Sequence, residues 1–398
     1  MNPSKTLSPA GLERLHGAMQ ARVDRNELPG LVTLVAQGDK VRVDTIGSKA
    51  FGSTDPMQRE TLFRIASMTK PVLAVASMML VEEGKIRRED PVDRWLPELA
   101  NRRVLARIDG PLDDTVPARR PITLDDLLTM RMGFGMLVEP TFDPPFPIVT
   151  RTSELKLQLS QPDPRTPHNP DEWIKLFGSL PLMSQPGERW QYNVGSLVLG
   201  VLVARVADQP LGDLFAERVF EPLGMRKTGF WLPLELTRTL PSYYVTNFET
   251  GQLELKNVST PGEWSRPPAF PSGAGGLVST VDDYLKFGRM MLDRGRYGGK
   301  RLLSEASVDA MTTNQLTPEQ IANGGPILGG GGWGLGMGVV VNADDAWPAP
   351  GRYGWAGGHG TDWFNDPDRG IVAIAMTQVS DFIWNGGLAE FTALVGGV

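Results

Sequence analysis

The most informative stretch of the sequence reads Phe63-Arg64-Ile65-Ala66-Ser67-Met68-Thr69-Lys70-Pro71. Ser67 and Lys70 stand three residues apart at the start of a helical pattern, and such residues share one face of a helix. Pro71 sets the register, because proline has no N–H and fits only within the first turn. The helix must then begin close to Ser67, so the hydroxyl would lie beside a lysine amine at the positive end of the helix dipole. These residues could provide a nucleophile, a base and half of an oxyanion hole.

The same spacing occurs a second time, at Ser153-Glu154-Leu155-Lys156. This copy lies in a polar, proline-flanked region, with no apolar helix behind it and no proline to set its register. A serine and a lysine at this spacing are therefore a weak signal by themselves. The structural alternative for Ser67 and Lys70 is an N-cap serine followed by a solvated lysine in the first turn.

Composition excludes several classes of protein and site. The chain has 398 residues and no cysteine, which excludes a disulfide scaffold, a thiolate zinc site, an iron–sulfur cluster and a cysteine nucleophile. The 40 basic residues are scattered among 46 acidic ones, for a net charge of −6, so a nucleic-acid-binding face is not expected. Since no two of the three histidines have metal-ligand spacing, we expect neither a metal nor another cofactor.

No membrane or export segment is predicted. Residues 1–22 are polar and lack the apolar core of a signal peptide. The longest apolar stretches, around residues 72–81 and 197–203, are shorter than the ~20 residues that span a bilayer. The sequence therefore predicts a cytoplasmic protein without a membrane partner.

The N-terminal part of the chain predicts a helix followed by a hairpin. The apolar residues of Pro9–Glu27 recur at helical spacing. Leu31–Gln37 and Arg42–Ile46 are short runs rich in β-branched residues with a turn between them, which is typical of a hairpin. From Met68 to Glu83 the pattern is helical again and stops at Gly84, a residue typical of helix C-termini.

Strand-like runs return near the C-terminus, after a middle region that is mostly helical in pattern. The predicted C-terminal elements are a strand over Trp333–Val341, a glycine-rich turn, a strand over Gly370–Thr377 and a helix over Gly387–Leu394. The predicted helical pieces of the middle region are Leu124–Met130, Asp171–Leu176, Ser196–Ala207 and Leu211–Val219.

Strands at both ends with helices between them predict an α/β plus all-α architecture. We expect residues 1–66 and 270–398 to form one discontinuous α/β domain, and residues 67–269 to form a mostly helical domain. A proline-rich stretch at about 140–170 has few periodic apolar residues, which favours a lid or a surface loop.

Three further motifs bear on the interpretation of Ser67. Pro186-Gly187 and a tryptophan lead to Tyr192, just before a second apolar helix. A glycine-rich loop that begins at Ser272 precedes a helix near Val281; no lysine follows its glycines, as a phosphate-binding loop would require. Gly354-Trp355-Ala356-Gly357-Gly358-His359-Gly360 precedes a strand-like pair and provides backbone that a ligand can approach closely.

Taken in this order, the motifs resemble those of serine β-lactamase-like proteins. They are most similar to the family VIII carboxylesterases, which are relatives of class C β-lactamases and DD-peptidases. The resemblance covers nearly the whole chain. It implies a β-lactamase/transpeptidase-like fold, with an antiparallel sheet flanked by helices, a helical domain, and an active site between the two.

The chain departs from the β-lactamase pattern at two motifs. β-Lactamases have Tyr-x-Asn, whereas Tyr192 is followed by Asn193 and then valine, so the amide is absent from the expected place. The lactamase Lys-Thr-Gly aligns with Trp355-Ala356-Gly357, and loss of the lysine that binds the drug's carboxylate argues for neutral esters. A slip of three residues would instead align Arg352-Tyr353-Gly354 and restore a cation.

The resemblance implies a serine hydrolase that forms an acyl-enzyme on Ser67. Lys70 and Tyr192 would jointly act as the base, and the sequence leaves open which of them takes the proton. The oxyanion hole would use the N–H groups of Ser67 and Gly358. The implied substrate-binding residues are Trp355, Ala356, Gly357, Asn193 and His359, and the aromatic residues Phe142 and Phe146 would help to shape an acyl pocket.

Other functions remain open. A Ser-His-Asp triad would need His16, His168 or His359, and only His359 has a suggestive setting, without a Gly-x-Ser-x-Gly elbow to partner it. A class C-like β-lactamase, a DD-peptidase or an acyltransferase would use the same serine chemistry as a short-chain carboxylesterase. A non-catalytic ligand-sensing module is the remaining alternative. The expected partner is a small-molecule ester, and the sequence leaves a homodimer open.

Overall fold

The computed structural model describes residues 7–137, 144–159, 166–238, 240–247, 249–257, 262–342 and 350–398. Phe142 lies outside these residues, as do 140–143 and 160–165 of the predicted proline-rich loop. The described part of that stretch is not all loop, because it contains the helix Pro147–Glu154. Pro147 occupies the first position of this helix, where no backbone N–H is needed.

The described residues form fifteen strands. They are β1 (Gly30–Gln37), β2 (Lys40–Gly47), β3 (Phe63–Arg64), β4 (Arg103–Leu105), β5 (Thr115–Pro117), β6 (Tyr243–Thr246), β7 (Leu253–Asn257), β8 (Val278–Ser279), β9 (Arg296–Tyr297), β10 (Lys300–Arg301), β11 (Gly332–Trp333), β12 (Gly338–Val339), β13 (Tyr353–Gly357), β14 (Thr361–Asp366) and β15 (Ile371–Met376). Seven of them form one antiparallel sheet in the order β11-β12-β13-β14-β15-β1-β2. The others form two-stranded pairs.

The two ends of the chain meet inside the large sheet. β1 pairs with β15 in a register that runs from Val32 opposite Met376 to Gln37 opposite Ile371. β1 also pairs with β2 through the predicted hairpin, so it lies in the interior of the sheet. All of its residues except Gln37 are buried, which explains why its sequence is mostly apolar and does not alternate with polar residues.

The same residues form fourteen α-helices. They are α1 (Pro9–Asp24), α2 (Thr69–Glu82), α3 (Leu124–Leu128), α4 (Pro147–Glu154), α5 (Pro170–Gly178), α6 (Val194–Ala207), α7 (Leu211–Phe215), α8 (Glu221–Leu223), α9 (Leu234–Thr237), α10 (Val281–Leu292), α11 (Glu305–Met311), α12 (Pro318–Asn323), α13 (Gly325–Leu328) and α14 (Gly387–Gly396). A π-helical segment, Ala216–Phe220, joins α7 to α8.

Helices cover both faces of the sheet. α1 and α14 pack on one face, where Leu15 and Phe391 join a cluster with Leu31 and Ile371. α2, α6 and α10 belong to a larger cluster on the other face, which also includes Val32 and Ile374 from the sheet. The larger cluster runs without a break from the sheet into the helical part of the chain. The division into two domains stays a prediction.

Two C-terminal elements differ from the sequence prediction. Trp333–Val341, expected as one strand, forms the short strands β11 and β12 with a turn between them. A Cβ atom on Gly334 would lie 1.9 Å from the carbonyl oxygen of Met311, and Gly336 has a φ of +78°, so the turn depends on glycine. The glycine-rich segment before Trp363, expected as a turn, contains strand β13 instead.

Within the described residues, no single helix is long and apolar enough to cross a membrane. The segments Val194–Ala207 and Leu211–Leu223 reach that length and composition only together, and they meet at an angle of 81°.

Candidate active site

Ser67 lies in the short turn that begins the central helix. The 3₁₀ turn Ala66–Met68 is followed directly by α2, and Lys70 and Pro71 are the second and third residues of α2. The position inferred from proline chemistry is confirmed. Ala66 has a φ of +43°, in a region that residues with a side chain adopt only when their surroundings impose it.

The amine of Lys70 is held by three oxygen atoms. Its Nζ lies 2.9 Å from Ser67 Oγ, 2.8 Å from Asn193 Oδ1 and 2.6 Å from the carbonyl oxygen of Ala274. Lys70 is 1% exposed, and within the described part of the chain no carboxylate pairs with it. Burial disfavours the charged form and holds the pKa of Lys70 well below its ordinary value.

Tyr192 completes a compact group around Ser67. The Lys70 amine lies 4.7 Å from the centre of the Tyr192 ring. Burial raises the pKa of Tyr192 to about 12, while hydrogen bonds with Ser67 and Trp355 act in the opposite direction. The structure therefore brings together the serine, the lysine and the tyrosine that the sequence singles out.

Asn193 reaches Lys70 through a strained turn. Its φ and ψ are +78° and −55°, and the N–H of Val194 donates to the carbonyl oxygen of Tyr192 at 3.1 Å, which defines a γ-turn of the rare, strained type. The Asn193 amide also donates from Nδ2 to the carbonyl oxygen of Leu159 at 2.7 Å. The sequence alignment predicted no amide in the usual place, yet this turn places one against the lysine.

Strand β13 forms the wall opposite the helix and approaches the serine turn closely. A Cβ atom on Gly357 would lie 2.2 Å from the carbonyl oxygen of Ile65 and 2.3 Å from Thr361 Oγ1. Only glycine allows this contact, because backbone lies where a side chain would begin. The next residue, Gly358, lines the same cavity as Ser67.

Trp355 belongs to an aromatic group around Tyr192. Its Nε1 donates a hydrogen bond to the Tyr192 hydroxyl, and the rings of Trp190 and Trp333 pack against the tyrosine. The centres of the Trp333 and Trp355 rings are 4.6 Å apart. This group fixes the tyrosine ring and one hydrogen bond of its hydroxyl.

The serine opens into a cavity of about 550 Å³. The implied site residues that line it are Ser67, Tyr192, Asn193, Trp355, Ala356 and Gly358. Lys70 and Gly357 lie behind this lining. Phe146, expected near an acyl pocket, packs instead against the main core cluster.

Arg352 immediately precedes β13, three residues before Trp355. It lines the cavity, and its guanidinium lies 4.7 Å from the centre of the Phe364 ring. Asp362 lies in the same part of the wall, where burial raises its pKa to about 7 and the charge of Arg352 acts against that rise. The tryptophan, and not this cation, faces Tyr192.

The histidines lie elsewhere. His359 is buried with its ring 4.4 Å from the Tyr243 ring centre, and it is not part of the cavity wall. Burial lowers the pKa of His359 to about 3, with a smaller contribution from the charge of Arg64. His16 contacts Asp44 at 2.6 Å, and His168 contacts the carbonyl oxygen of Leu155 at 2.8 Å.

The second serine–lysine pair occupies the wrong end of a helix. Ser153 is near the C-terminus of α4, where its hydroxyl donates to the carbonyl oxygen of Val149. Lys156 follows the helix with a φ of +52°. Such a serine lies where the helix dipole is negative, so the setting does not favour an oxyanion.

Sequence reasoning missed two contacts of this site. The carbonyl oxygen of Ala274 holds the lysine amine, and no side chain signals such a contact in the sequence. Trp355 was singled out for substrate binding, and its hydrogen bond to Tyr192 was not foreseen. The residues described contain no group of three His, Asp or Glu side chains that could hold a metal ion.

Fold and site together define a serine hydrolase of the β-lactamase/transpeptidase-like fold. The chain belongs to the Beta-lactamase family, which it matches over residues 15–390. It is 40% identical over 366 residues to Protein Rv1367c of Mycobacterium tuberculosis, a match that covers 89% of this chain and 87% of the relative.

Two further similarities involve esterases and hydrolases. Esterase EstB of Burkholderia gladioli is 29% identical over 395 residues, covering 92% of this chain and 90% of the esterase. The solved structure of EstCE1, described as a hydrolase with promiscuous acyltransferase activity, superposes with a TM-score of 0.79 at 25% identity. This superposition covers 97% of this chain and 98% of EstCE1. These similarities support the resemblance to family VIII carboxylesterases.

Proposed function

We propose that this protein is a carboxylesterase that hydrolyses short-chain esters through an acyl-enzyme on Ser67. The observation that carries the proposal is the 2.9 Å separation between Ser67 Oγ and the buried amine of Lys70. A serine hydroxyl needs an adjacent base to become a nucleophile at neutral pH. An amine whose pKa is lowered by burial meets that requirement.

The hydrogen bonds of Lys70 support its role as the base. A neutral amine has two N–H groups and one lone pair. The oxygens of Asn193 and Ala274 are acceptors only, and together they use both N–H groups. The lone pair is then left for the proton of the Ser67 hydroxyl.

In the acylation step the Ser67 oxygen attacks the ester carbonyl carbon as its proton moves to the base. The carbonyl oxygen becomes an oxyanion, which the N–H groups of Ser67 and Gly358 would stabilise. The ester C–O bond then breaks, and the departing alkoxide takes up the proton. Water repeats the sequence on the acyl-enzyme and releases the carboxylic acid.

Tyr192 is the second candidate for the proton carrier. Its hydroxyl is hydrogen bonded with Ser67 and Trp355, and its raised pKa favours the neutral phenol in the resting enzyme. A neutral phenol can donate a proton to the leaving alkoxide while Lys70 holds the proton from Ser67, and Lys70 then returns that proton to the phenolate. This division of labour uses both groups in the protonation states that burial favours.

The wall of the cavity supports neutral esters as substrates. Trp355 faces the tyrosine where, by the resemblance, β-lactamases have a cation for the drug's carboxylate. The names of two relatives, an esterase and a hydrolase with acyltransferase activity, support ester chemistry. The second candidate function is transfer of the acyl group to an alcohol instead of to water. The description of EstCE1 favours this function.

The test measures p-nitrophenol release from p-nitrophenyl acetate and butyrate. Ser67→Ala should lower the rate by at least about a thousandfold while leaving the fold intact. Ser153→Ala is the matched control, since it removes the serine of the same sequence spacing at the other site, and it should keep the wild-type rate. Full activity in Ser67→Ala would refute the nucleophile assignment.

A second set of substrates ranks the alternatives. A chromogenic cephalosporin, a D-alanyl-D-alanine peptide and an alcohol acceptor added to the ester assay test lactamase, peptidase and transferase activity. We expect the esters to have the highest kcat/KM. If neither ester reacts with wild-type protein, the esterase proposal is wrong.

A further inference from the structure

The active-site cavity extends from the catalytic group to the other face of the large sheet. Trp355 on β13 lies opposite Trp363 on β14, and Trp363 packs in the large cluster with α2 and α10. Phe364, the next residue of β14, belongs instead to the cluster of α1 and α14. Successive side chains of a strand point to opposite faces, so Trp355 and Phe364 mark the two faces of the sheet. Both of them line the cavity that contains Ser67.

The pairing of β13 explains how one cavity reaches both faces. Among the described residues, β12 pairs with β13 only at Tyr353 and Gly354. The rest of β13, Trp355 to Gly357, has no strand beside it on that side within the same residues. The cavity can therefore continue around this unpaired part of β13, from the serine to the face that α14 covers.

We call the part of the cavity next to α14 the outer lobe. Its walls come from β14, from the 3₁₀ turn Ser380–Ile383 and from α14. Its apolar lining residues are Phe364, Ile383, Trp384 and Leu388. The charged side chains that line the cavity in the described part of the chain are Arg352 and Asp362, and their charges have opposite signs. These walls suit an uncharged, apolar group.

Trp384 is the largest apolar side chain of the outer lobe. It is 62% exposed, the highest fraction among the large apolar side chains of the described residues. Its backbone N–H donates to the carbonyl oxygen of Asp381 at 2.8 Å, and its neighbour Phe382 is buried in the cluster of α1 and α14, so the turn that carries it is anchored. A large aromatic side chain that is exposed at the rim of a cavity is typical of a ligand-binding surface.

We propose that the outer lobe binds the alcohol part of the ester and that Trp384 selects alcohols with an uncharged aromatic group. This inference rests on the proposed function, which places a short acyl chain on Ser67. A cavity of about 550 Å³ is large enough for a drug-sized molecule, and a short acyl chain leaves most of it empty. An aromatic ring stacked on the Trp384 indole would bury apolar surface of both groups. The substrate class is therefore short-chain esters of arylalkyl alcohols.

The test compares ethyl acetate with 2-(2-naphthyl)ethyl acetate, and titration of the released acetic acid gives the rate. The two esters share one acyl group and have primary alkoxide leaving groups, so kcat/KM compares the binding of the alcohol part. The wild type should prefer the naphthyl ester at least about tenfold. Trp384→Ala should lose most of this preference through a higher KM, because the ring is bound equally in the ground state and the transition state. Its kcat/KM for ethyl acetate should stay within about twofold of the wild-type value.

Trp231→Ala is the matched control. Trp231 is 46% exposed and is not part of the cavity lining, so its loss should leave the wild-type preference unchanged. The proposal is overturned if the wild type does not prefer the naphthyl ester, or if Trp384→Ala keeps the full preference.

A binding measurement separates this inference from the esterase proposal. Isothermal titration of 2-(2-naphthyl)ethanol into the wild type and into Trp384→Ala requires no ester hydrolysis. A Kd that rises about tenfold in the variant supports the outer lobe, even if the wild type hydrolyses neither ester and the proposed function fails. If the esters are hydrolysed and the alcohol binds both proteins equally, or binds neither, the inference about Trp384 is wrong and the esterase proposal stands.

Discussion

The indole N–H of Trp355 donates a hydrogen bond of 2.7 Å to the hydroxyl oxygen of Tyr192. Trp355 stands on strand β13, and Tyr192 lies just before helix α6 on the helical side of the cavity. The bond thus joins the two walls across the site. It also orients the tyrosine hydroxyl and lowers a pKa that burial raises to about 12.

Loss of this hydrogen bond should slow ester hydrolysis. Trp355→Phe keeps an aromatic ring and removes the donor, so kcat should fall about three- to tenfold, as expected for one neutral hydrogen bond. The pKa of Tyr192 should rise further, because the bond stabilises the phenolate. Steady-state kinetics on p-nitrophenyl butyrate at pH 7 would measure the fall in kcat; an unchanged kcat would show that the bond does not assist the reaction.

The contact between Asn193 and Lys70 should control the acidic limb of the pH profile. Asn193→Asp places a negative charge where the amide oxygen lies 2.8 Å from the amine, which favours protonated lysine and raises its pKa. Because the base must be neutral, kcat/KM at pH 7 should fall at least about tenfold and recover at higher pH.

Asn193→Ala is the control for this shift, because it removes the acceptor without adding charge. Its rate should be lower throughout, with the acidic limb in its original place. The pH dependence of kcat/KM for both variants provides the measurement. If the limb of Asn193→Asp does not move, Lys70 is not the titrating base.

Gly357 should tolerate no side chain. Gly357→Ala would place a methyl group 2.2 Å from the carbonyl oxygen of Ile65, so β13 and the serine turn must move apart. A displacement of about 1 Å at a catalytic site lowers the rate by roughly a hundredfold. Gly17→Ala, at a helical position with open space around it, should keep full activity and gain about 0.5–1 kcal/mol of stability. Ester kinetics and urea unfolding of the two variants test this contrast.

Asp362 should make stability depend on pH. Its pKa is raised to about 7 in the folded state, above the ordinary value of about 3.9, so the folded protein binds the extra proton between these values. The stability that this proton adds to the folded protein is fully present below the ordinary pKa of about 3.9 and is lost as the pH rises through about 7. Asp362→Asn does not titrate, so its stability relative to wild type should increase from pH 5 to pH 8. Urea unfolding at both pH values measures this; an equal difference at the two would contradict the raised pKa.

Local patterns were sufficient for much of the fold. The helix over Pro9–Asp24, the hairpin that follows, and helix α14 are confirmed within a few residues of their predicted ends. Apolar periodicity and turn residues act over short distances, so the sequence shows them directly. The glycines of β13 led to a wrong prediction, because a glycine-rich segment is typical of a turn. Gly354 and Gly357 instead permit close backbone contacts within a strand.

The chain's own local chemistry sets the spacing of Ser67 and Lys70 and the start of their helix, since the register of one turn and the constraints of proline require no distant residue. It also sets the absence of thiol chemistry, because no cysteine is present. The rest of the site depends on tertiary structure. Tyr192 and Trp355 are 163 residues apart along the chain, and only packing of the helical side against the sheet makes them hydrogen-bonding partners. The same packing buries Lys70, and burial, which no single segment can specify, lowers its pKa.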